Sequence, residues 1–444
     1  MTNNVVLLSI PGLREGDIRR MPNLARLTAQ GDRSALVPSF PAVTCPVQAN
    51  MTTGLLPAQH GVVANGFFWR DKGQVEMWTA WNDCIGAPQI WDRLHTHDPT
   101  LTSAVWFPLH SKGCGADFIC TPAPIHNPDG SESLWCYTRP EPLYGALRDR
   151  LGHFPLKHFW GPVAGIASSA WIADSAVYTA THDRPRFFYV YLPHLDYAAQ
   201  KSGPESDEAA AALGELDGVL ERLITGFRQA YDGNDLKWIV AGEYAIVPVD
   251  HTLYPNRHLR EAGLLTVRQD AGHQQLDLDV SQAWALVDHQ ASHIFVRHAE
   301  PQVIRRVADL FSHLEGVDEV LVGDDLRRAG VANPRSGEVV VISTPNSWQA
   351  YYWWLDDAKA PPYARTVDIH RKPGYDPVEL FFDPVARGIP LDGSLVRGSH
   401  GAPVRSSDQQ SVVLTSHGGM LGPSEAAVAD TQIAGLVLEQ FGVP

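Results

Sequence analysis

Cysteine is scarce in this chain, and the few present form no pattern. Cys45, Cys84, Cys114, Cys120 and Cys136 make an odd number, with no CxxC pair and no zinc-finger spacing. They read as buried free thiols of a reducing compartment. A basic surplus is missing too, since 35 Lys and Arg stand against 50 Asp and Glu, a net charge of −15. That balance argues against a nucleic-acid backbone as the main partner, because such binding needs a basic surface. An anionic substrate would then need local positive charge, from a metal ion or a few arginines. No window approaches 18 apolar residues, so no membrane span is expected. The first residues, MTNNVVLLSIPGLREGD, carry no basic leader, and their apolar run is too short for a signal peptide. The cytoplasm is the expected compartment. No internal repeat or low-complexity tract is present, and composition leaves a homo-oligomer open.

What is there is an ordinary globular composition, 44% hydrophobic and 19% charged, over 444 residues. That length predicts one large domain with an insertion, or two domains. Val5–Ile10, Arg186–Leu192 and Leu236–Ala241 are continuous apolar runs of the kind buried on both faces of a sheet. Leu101–Phe107 and Ser411–Thr415 read as further strands. Helices are expected over Met21–Gln30, Ile166–Thr179, Ser206–Tyr231 and Ser424–Gln440. Strands separated by helices give an α/β fold with a mainly parallel central sheet flanked by helices. Between His251 and about Pro390 the texture turns to α+β, with strands near Ala291–Arg297 and Glu338–Ser343. The expected layout is a core of residues 1–250 and 391–444 with an inserted α+β cap over 251–390. PNRHLREAGLL, from Pro255, reads as an amphipathic helix, and WQAYYWWLDD, from Trp348, as packing for the cap.

Chemistry concentrates in Val37–Trp69, VPSFPAVTCPVQANMTTGLLPAQHGVVANGFFW. Pro38 and Pro41 stop an extended segment, and a helix is predicted from Pro46 to Met51. Thr44 sits just before that helix, where free N–H groups and the dipole favour negative charge. A hydroxyl there can act as a nucleophile or simply cap the helix.

Phe40-Pro41, Thr44, Thr53-Gly54-Leu55, His60-Gly61 and Asn65 together resemble the nucleophile region of the alkaline phosphatase superfamily, in its nucleotide pyrophosphatase/phosphodiesterase branch. The resemblance implies that Thr44 attacks phosphorus and that Asn65 donates to a phosphoryl oxygen. It also implies two zinc ions, held by six Asp or His ligands together with the threonine. Here the pattern is altered. Pro11 stands at the first aspartate, Gln200 at a histidine, Glu243-Tyr244 at an Asp-His pair, while Asp196 and His400 match. Three of the expected positions are lost, which implies one divalent ion, zinc by preference, rather than two full sites.

Replacement ligands are on hand. His194 lies two residues from Asp196, so on an extended segment both would face one side. VDHQASH supplies Asp288, His289 and His293, and the cap run ARTVDIHRKPGYDPVELFF supplies Asp368 and His370. Mixed imidazole and carboxylate ligands suit a hard or borderline divalent ion. Arg371 and Lys372 follow, placed to bind a phosphate. The leading reading is a metal-assisted hydrolase of phosphodiester or pyrophosphate bonds in a small phosphorylated substrate. Thr44 and Asn65 carry the attack, with Glu243 and Tyr244 as acid–base groups and Asp196, His400, Glu243 and one of His194, His289 or His370 on the ion. The same fold acting on a phosphonate or sulfate ester or as a phosphoryl transferase, and a pseudoenzyme that binds a phosphorylated ligand, are the rival readings.

Overall fold

The computed structural model describes residues 4–127, 132–231, 236–422 and 427–443. Nine strands form the main sheet: β1 (Asn4–Ser9), β2 (Arg33–Val37), β3 (Ser103–Trp106), β4 (Phe118–Pro122), β5 (Cys136–Arg139), β6 (Phe187–Tyr191), β7 (Leu236–Ala241), β8 (Ser411–Thr415) and β9 (Val428–Ala429). Their spatial order is β9-β2-β8-β7-β1-β6-β3-β4-β5. The centre, β7-β1-β6-β3-β4, is parallel throughout. Antiparallel pairings bring in β8 against β7 and β2, and β5 against β4.

Alternation along β1 explains why the sheet is covered on both faces. Val6 and Leu8 pack with the helices Ile166–His182 and Asp207–Ala230. Val5 and Leu7 point the other way, toward Val47 and Met51 of the helix Thr44–Thr53 and toward Ile433 and Val437. The long helix is capped by the Ser206 hydroxyl, which accepts from the Ala209 N–H at 3.1 Å.

A second sheet of four strands, Ala283–Asp288, Ala291–Val296, Val339–Ser343 and Val317–Val322 in spatial order, is antiparallel throughout. Its core holds the buried Trp348, Tyr351, Tyr352, Trp353 and Trp354. The same core takes in Met77 and Phe68 from the hairpin Gly66–Trp69/Gln74–Met77, so this early hairpin packs on the later lobe.

Three elements differ from the sequence expectation. The first helix covers only Pro22–Leu27. The last covers Ile433–Glu439, because Val428–Ala429 pairs with β2; residues 424–426 of the expected helix lie outside the described residues. The segment His194–Ser202, expected to be extended, is helical. All five cysteines are free and buried. Among the described residues, no helix is long and apolar enough to cross a membrane.

Candidate active site

Thr44 is the first residue of the helix Thr44–Thr53, which ends on Gly54 in the left-handed region, φ 76°. The helix is buried along its whole length and is held from outside. The Asp430 carboxylate accepts from the Ser39 N–H at 3.0 Å, from the Ser39 hydroxyl at 2.6 Å and from the Asn50 amide at 2.6 Å. Asp430 thus fixes both the approach to Thr44 and the body of the helix, a link across 380 residues or more that no local signal announces.

The central strands end at the same edge, and that edge brings most of the candidate residues together. Thr44 Oγ1 lies 2.9 Å from the Tyr244 hydroxyl. Glu243, two residues beyond β7, accepts from the Ser9 hydroxyl at the end of β1 and from the Gln48 amide at 2.9 Å. Gln48 is oriented by the Leu109 N–H, which donates to its carbonyl at 2.8 Å. Ser9 and Gln48 were not among the residues singled out from sequence, since neither has a motif. His400 is anchored through Nδ1 to the Ala42 carbonyl at 2.8 Å, and Gly401 follows at φ 118°. A Cβ at Gly401 would lie 3.1 Å from Val43 and 3.3 Å from His289, which accounts for the His-Gly pair.

Glu243 and His289 both hold positive φ, 55° and 57°. For residues with a Cβ this costs on the order of 1–3 kcal/mol, a strain seen where side chains are aimed rather than merely packed.

Asn65 reaches the same place but is already engaged. Its side-chain amide and its backbone N–H donate to Asp288 at 2.9 and 2.7 Å, and its carbonyl accepts from the Cys45 N–H at 2.9 Å. It therefore ties the second lobe's Asp288 turn to the start of the Thr44 helix.

A chamber of about 110 Å³ opens beside Thr44. Its walls include Asp196, His289, Tyr375, Trp78, Phe159 and Trp160. An outer vestibule of about 1220 Å³ shares Trp78, Leu109, Phe159, Trp160 and Ile369 with it and carries Lys112, Lys157, His370 and Arg371.

Burial governs the charge state. It pushes Glu243 up to about 8 against the hydrogen bonds from Ser9 and Gln48, and Asp196 up to about 7. Asp288 rises to about 7 for the same reason, despite the bonds from Asn65. His400 is driven down to about 3 and His289 well below its ordinary value, so both imidazoles are neutral. Burial thus favours the neutral carboxyl of Glu243 near neutral pH, which weighs against the base role expected from the sequence.

The expected metal set does not assemble. Among the described residues, no three His, Cys, Asp or Glu side chains converge where they could hold a metal ion. Two helical residues two apart point about 200° from each other, so His194 turns from Asp196 toward Glu215, 2.8 Å away. His370 belongs to the vestibule, where its Nδ1 lies 3.3 Å from the Met77 carbonyl. His289 packs on His400 at 3.7 Å, but Tyr244 lies flat on His400 and occupies the Thr44 hydroxyl.

Of the phosphate ligands expected in the cap, Lys372 lines the chamber with Thr44 and Arg371 lines the vestibule, each with an acidic partner. Lys372 is buried, with Asp376 at 2.8 Å and Glu379 at 2.6 Å. Arg371 is exposed, paired with Asp368 and laid over the Tyr363 ring.

An uncharacterized pyrophosphatase/phosphodiesterase of Schizosaccharomyces pombe is 24% identical over 260 residues, 55% of this chain and 45% of that protein. Ectonucleotide pyrophosphatase/phosphodiesterase 1 of Saccharomyces cerevisiae is 23% identical over 204 residues, 44% of this chain and 26% of that protein. The matched stretches thus span less than half the length of either relative. Among solved structures, phosphonoacetate hydrolase from Sinorhizobium meliloti 1021 shares the fold with a TM-score of 0.63 at 16% identity, covering 100% of this chain and 96% of that one. Human ectonucleotide pyrophosphatase/phosphodiesterase 5 does so with a TM-score of 0.63 at 15% identity, covering 99% and 95%. The family described as type I phosphodiesterase / nucleotide pyrophosphatase matches residues 5–376, and the chain belongs to that family, within the alkaline phosphatase superfamily.

Proposed function

We propose that this chain is a hydrolase acting at phosphorus on a phosphodiester or pyrophosphate bond, with Thr44 as nucleophile. The observation that carries the reading is the placement of Thr44. Its hydroxyl opens on a chamber at the N-terminus of a ten-residue helix and is hydrogen-bonded to a buried phenol. The helix N-terminus favours the oxyanion that develops there.

A threonine hydroxyl is a very weak acid and needs an acceptor for its proton. Tyr244 is in contact with it, and the Asp196 carboxyl, raised to about 7, is partly ionised at neutral pH. As the Thr44 Oγ–P bond forms and the bond from phosphorus to the leaving group breaks, the Thr44 proton passes to Tyr244. The Tyr244 proton moves on toward Asp196. Water then cleaves the phospho-threonine and restores the hydroxyl. Family members are in general metal-dependent, but the donor set here does not fit the paired ions.

Phosphonate is the second substrate class. Phosphonoacetate hydrolase, solved with phosphonoformate and with phosphonoacetate, overlays the whole of this chain, and a chamber of about 110 Å³ suits a small head group. A murine ectonucleotide pyrophosphatase/phosphodiesterase 5 was solved with AMP, which keeps nucleotides in the set. The compartment we propose remains the cytoplasm, in keeping with five free buried thiols.

The test is a panel of aryl phosphodiesters, nucleotide pyrophosphates and phosphonates, run on wild type and Thr44→Ala. Turnover in wild type that vanishes in the variant supports the reading. Equal turnover in both moves the chemistry elsewhere, and none on any substrate leaves a ligand-binding pseudoenzyme.

A further inference from the structure

The two histidine positions lost from the family pattern are Gln200 and Tyr244, and the structure joins them through the histidines beside the chamber. The Tyr244 ring stacks on His400 at a centroid distance of 3.6 Å and an angle of 7°. His400 packs on His289 at 3.7 Å, and His289 stacks on Tyr375 at 3.8 Å and 21°. The Tyr375 hydroxyl donates to the Gln200 carbonyl at 2.6 Å. Four rings therefore form one continuous stack. Its first ring hydrogen-bonds Thr44 Oγ1 at 2.9 Å and its last is tied to Gln200. All four rings are nearly inaccessible to solvent.

This arrangement is difficult to reconcile with casual loss of ligands. A histidine replaced at random would have no reason to leave both substituted side chains joined to the remaining histidines. Here the phenol at one lost position and the amide at the other are bound into the same column as His400. Phenol and amide replace two imidazole donors, and among the described residues no three His, Cys, Asp or Glu side chains converge on a point where an ion could be held. Five buried polar atoms in and around the column have no partner within the protein: Asp196 Oδ1, Gln200 Nε2, Glu243 Oε2, His289 Nδ1 and His400 Nε2. Buried polar groups are ordinarily paired, so these are the atoms a ligand would meet.

We infer that the ring stack takes the ground of the metal pair, so that the chamber holds its phosphoryl ligand and aims the Thr44 hydroxyl without a bound divalent ion. The inference rests on the hydrolase reading for the role of Thr44, but ion binding is measured separately from turnover.

The full chain, purified without chelator, is titrated calorimetrically with zinc chloride alone and then with inorganic phosphate, in EDTA and in added zinc. No saturable zinc uptake is expected, and phosphate affinity should agree within about twofold between the two conditions. Zinc uptake that disappears in His400→Ala overturns the inference, as does phosphate binding that tightens tenfold or more with zinc. Uptake that persists in His400→Ala belongs to another surface and agrees with an ion-free chamber. Phosphate that binds in neither condition also overturns it.

The triple variant Pro11→Asp/Gln200→His/Tyr244→His breaks the stack and should gain zinc uptake; a folded variant that does not gain it counts against the stack. Should it fail to fold, Tyr244→Phe keeps the ring and removes only the hydroxyl on Thr44. It should lower kcat about a hundredfold or more, the scale of a lost acid–base partner, with KM little changed and still no zinc uptake. An unchanged kcat refutes the aiming role. If wild type turns over nothing while the zinc and phosphate results stand, the hydrolase reading fails and the ion-free chamber survives.

Discussion

Two walls of one chamber carry charge in opposite ways. On the Thr44 side, Asp196, Glu243, His289 and His400 each keep a buried polar atom without a partner, and Glu243 and His289 hold strained backbone. The segment 368–379, which lends Lys372, Asp376 and Glu379 to the same chamber, is more densely charged, yet its main charges are answered. Lys372 meets Asp376 and Glu379, Arg371 meets Asp368, and Glu379 also accepts from the Trp160 indole at 2.5 Å and the Asp368 N–H at 2.9 Å. The contrast separates a wall from a working surface. A satisfied cluster fixes shape, whereas unsatisfied buried groups beside a cavity mark where a ligand is met.

The sharpest way to break this comparison is to delete one group from each wall. Thr44→Ala should abolish turnover. Its stability should change by no more than about 0.5–1.5 kcal/mol, the net worth of the one hydrogen bond to Tyr244, as read by urea denaturation. Lys372→Met should do the reverse. Removing one partner from a buried ionic cluster costs about 3–5 kcal/mol, so the protein should melt markedly earlier, while the folded fraction retains its turnover. A Lys372 variant of full stability and lost activity would move the working surface to the cap.

A smaller effect tests the neutral state of Glu243. The folded carboxyl sits at about 8 against an ordinary 4.5. Its contribution to stability is therefore fully present below about 4.5 and is lost as pH rises toward 8. Glu243→Gln does not titrate and can still accept from Ser9 and Gln48. Between pH 5 and 8 wild type should lose on the order of a few kcal/mol more stability than the variant, measured by urea denaturation at both values. Parallel profiles would place an ionised Glu243 in the folded site. The smallest effect is expected of Arg371→Ala, an exposed pair whose loss should cost about 0–1 kcal/mol. A large rise in KM in that variant would show that the vestibule holds the substrate's anion.

Much of this protein follows from its sequence alone. Val5–Ile10, Arg186–Leu192 and Leu236–Ala241 had to be central strands, because continuous apolar runs are stable only when both faces are covered. The run from Phe40 to Asn65 identified the family, because its prolines, glycines and hydroxyl lie within one local segment whose geometry is fixed by near neighbours. The active-site partners were less legible. His194 and Asp196 look like neighbours in the chain, but a helix at residues 194–202 turns one toward Glu215 and the other to the chamber. Lys372 reads as a phosphate ligand, and the fold does bring it to the chamber, but between two carboxylates that the sequence does not announce. The stack running from Tyr244 through His400 and His289 to Tyr375 joins four distant parts of the chain, and Gln200 closes it across 175 residues. Local sequence sets backbone preference and burial pattern. Which side chains meet, and which charges are cancelled, depended on contacts that only the folded sheet brings together.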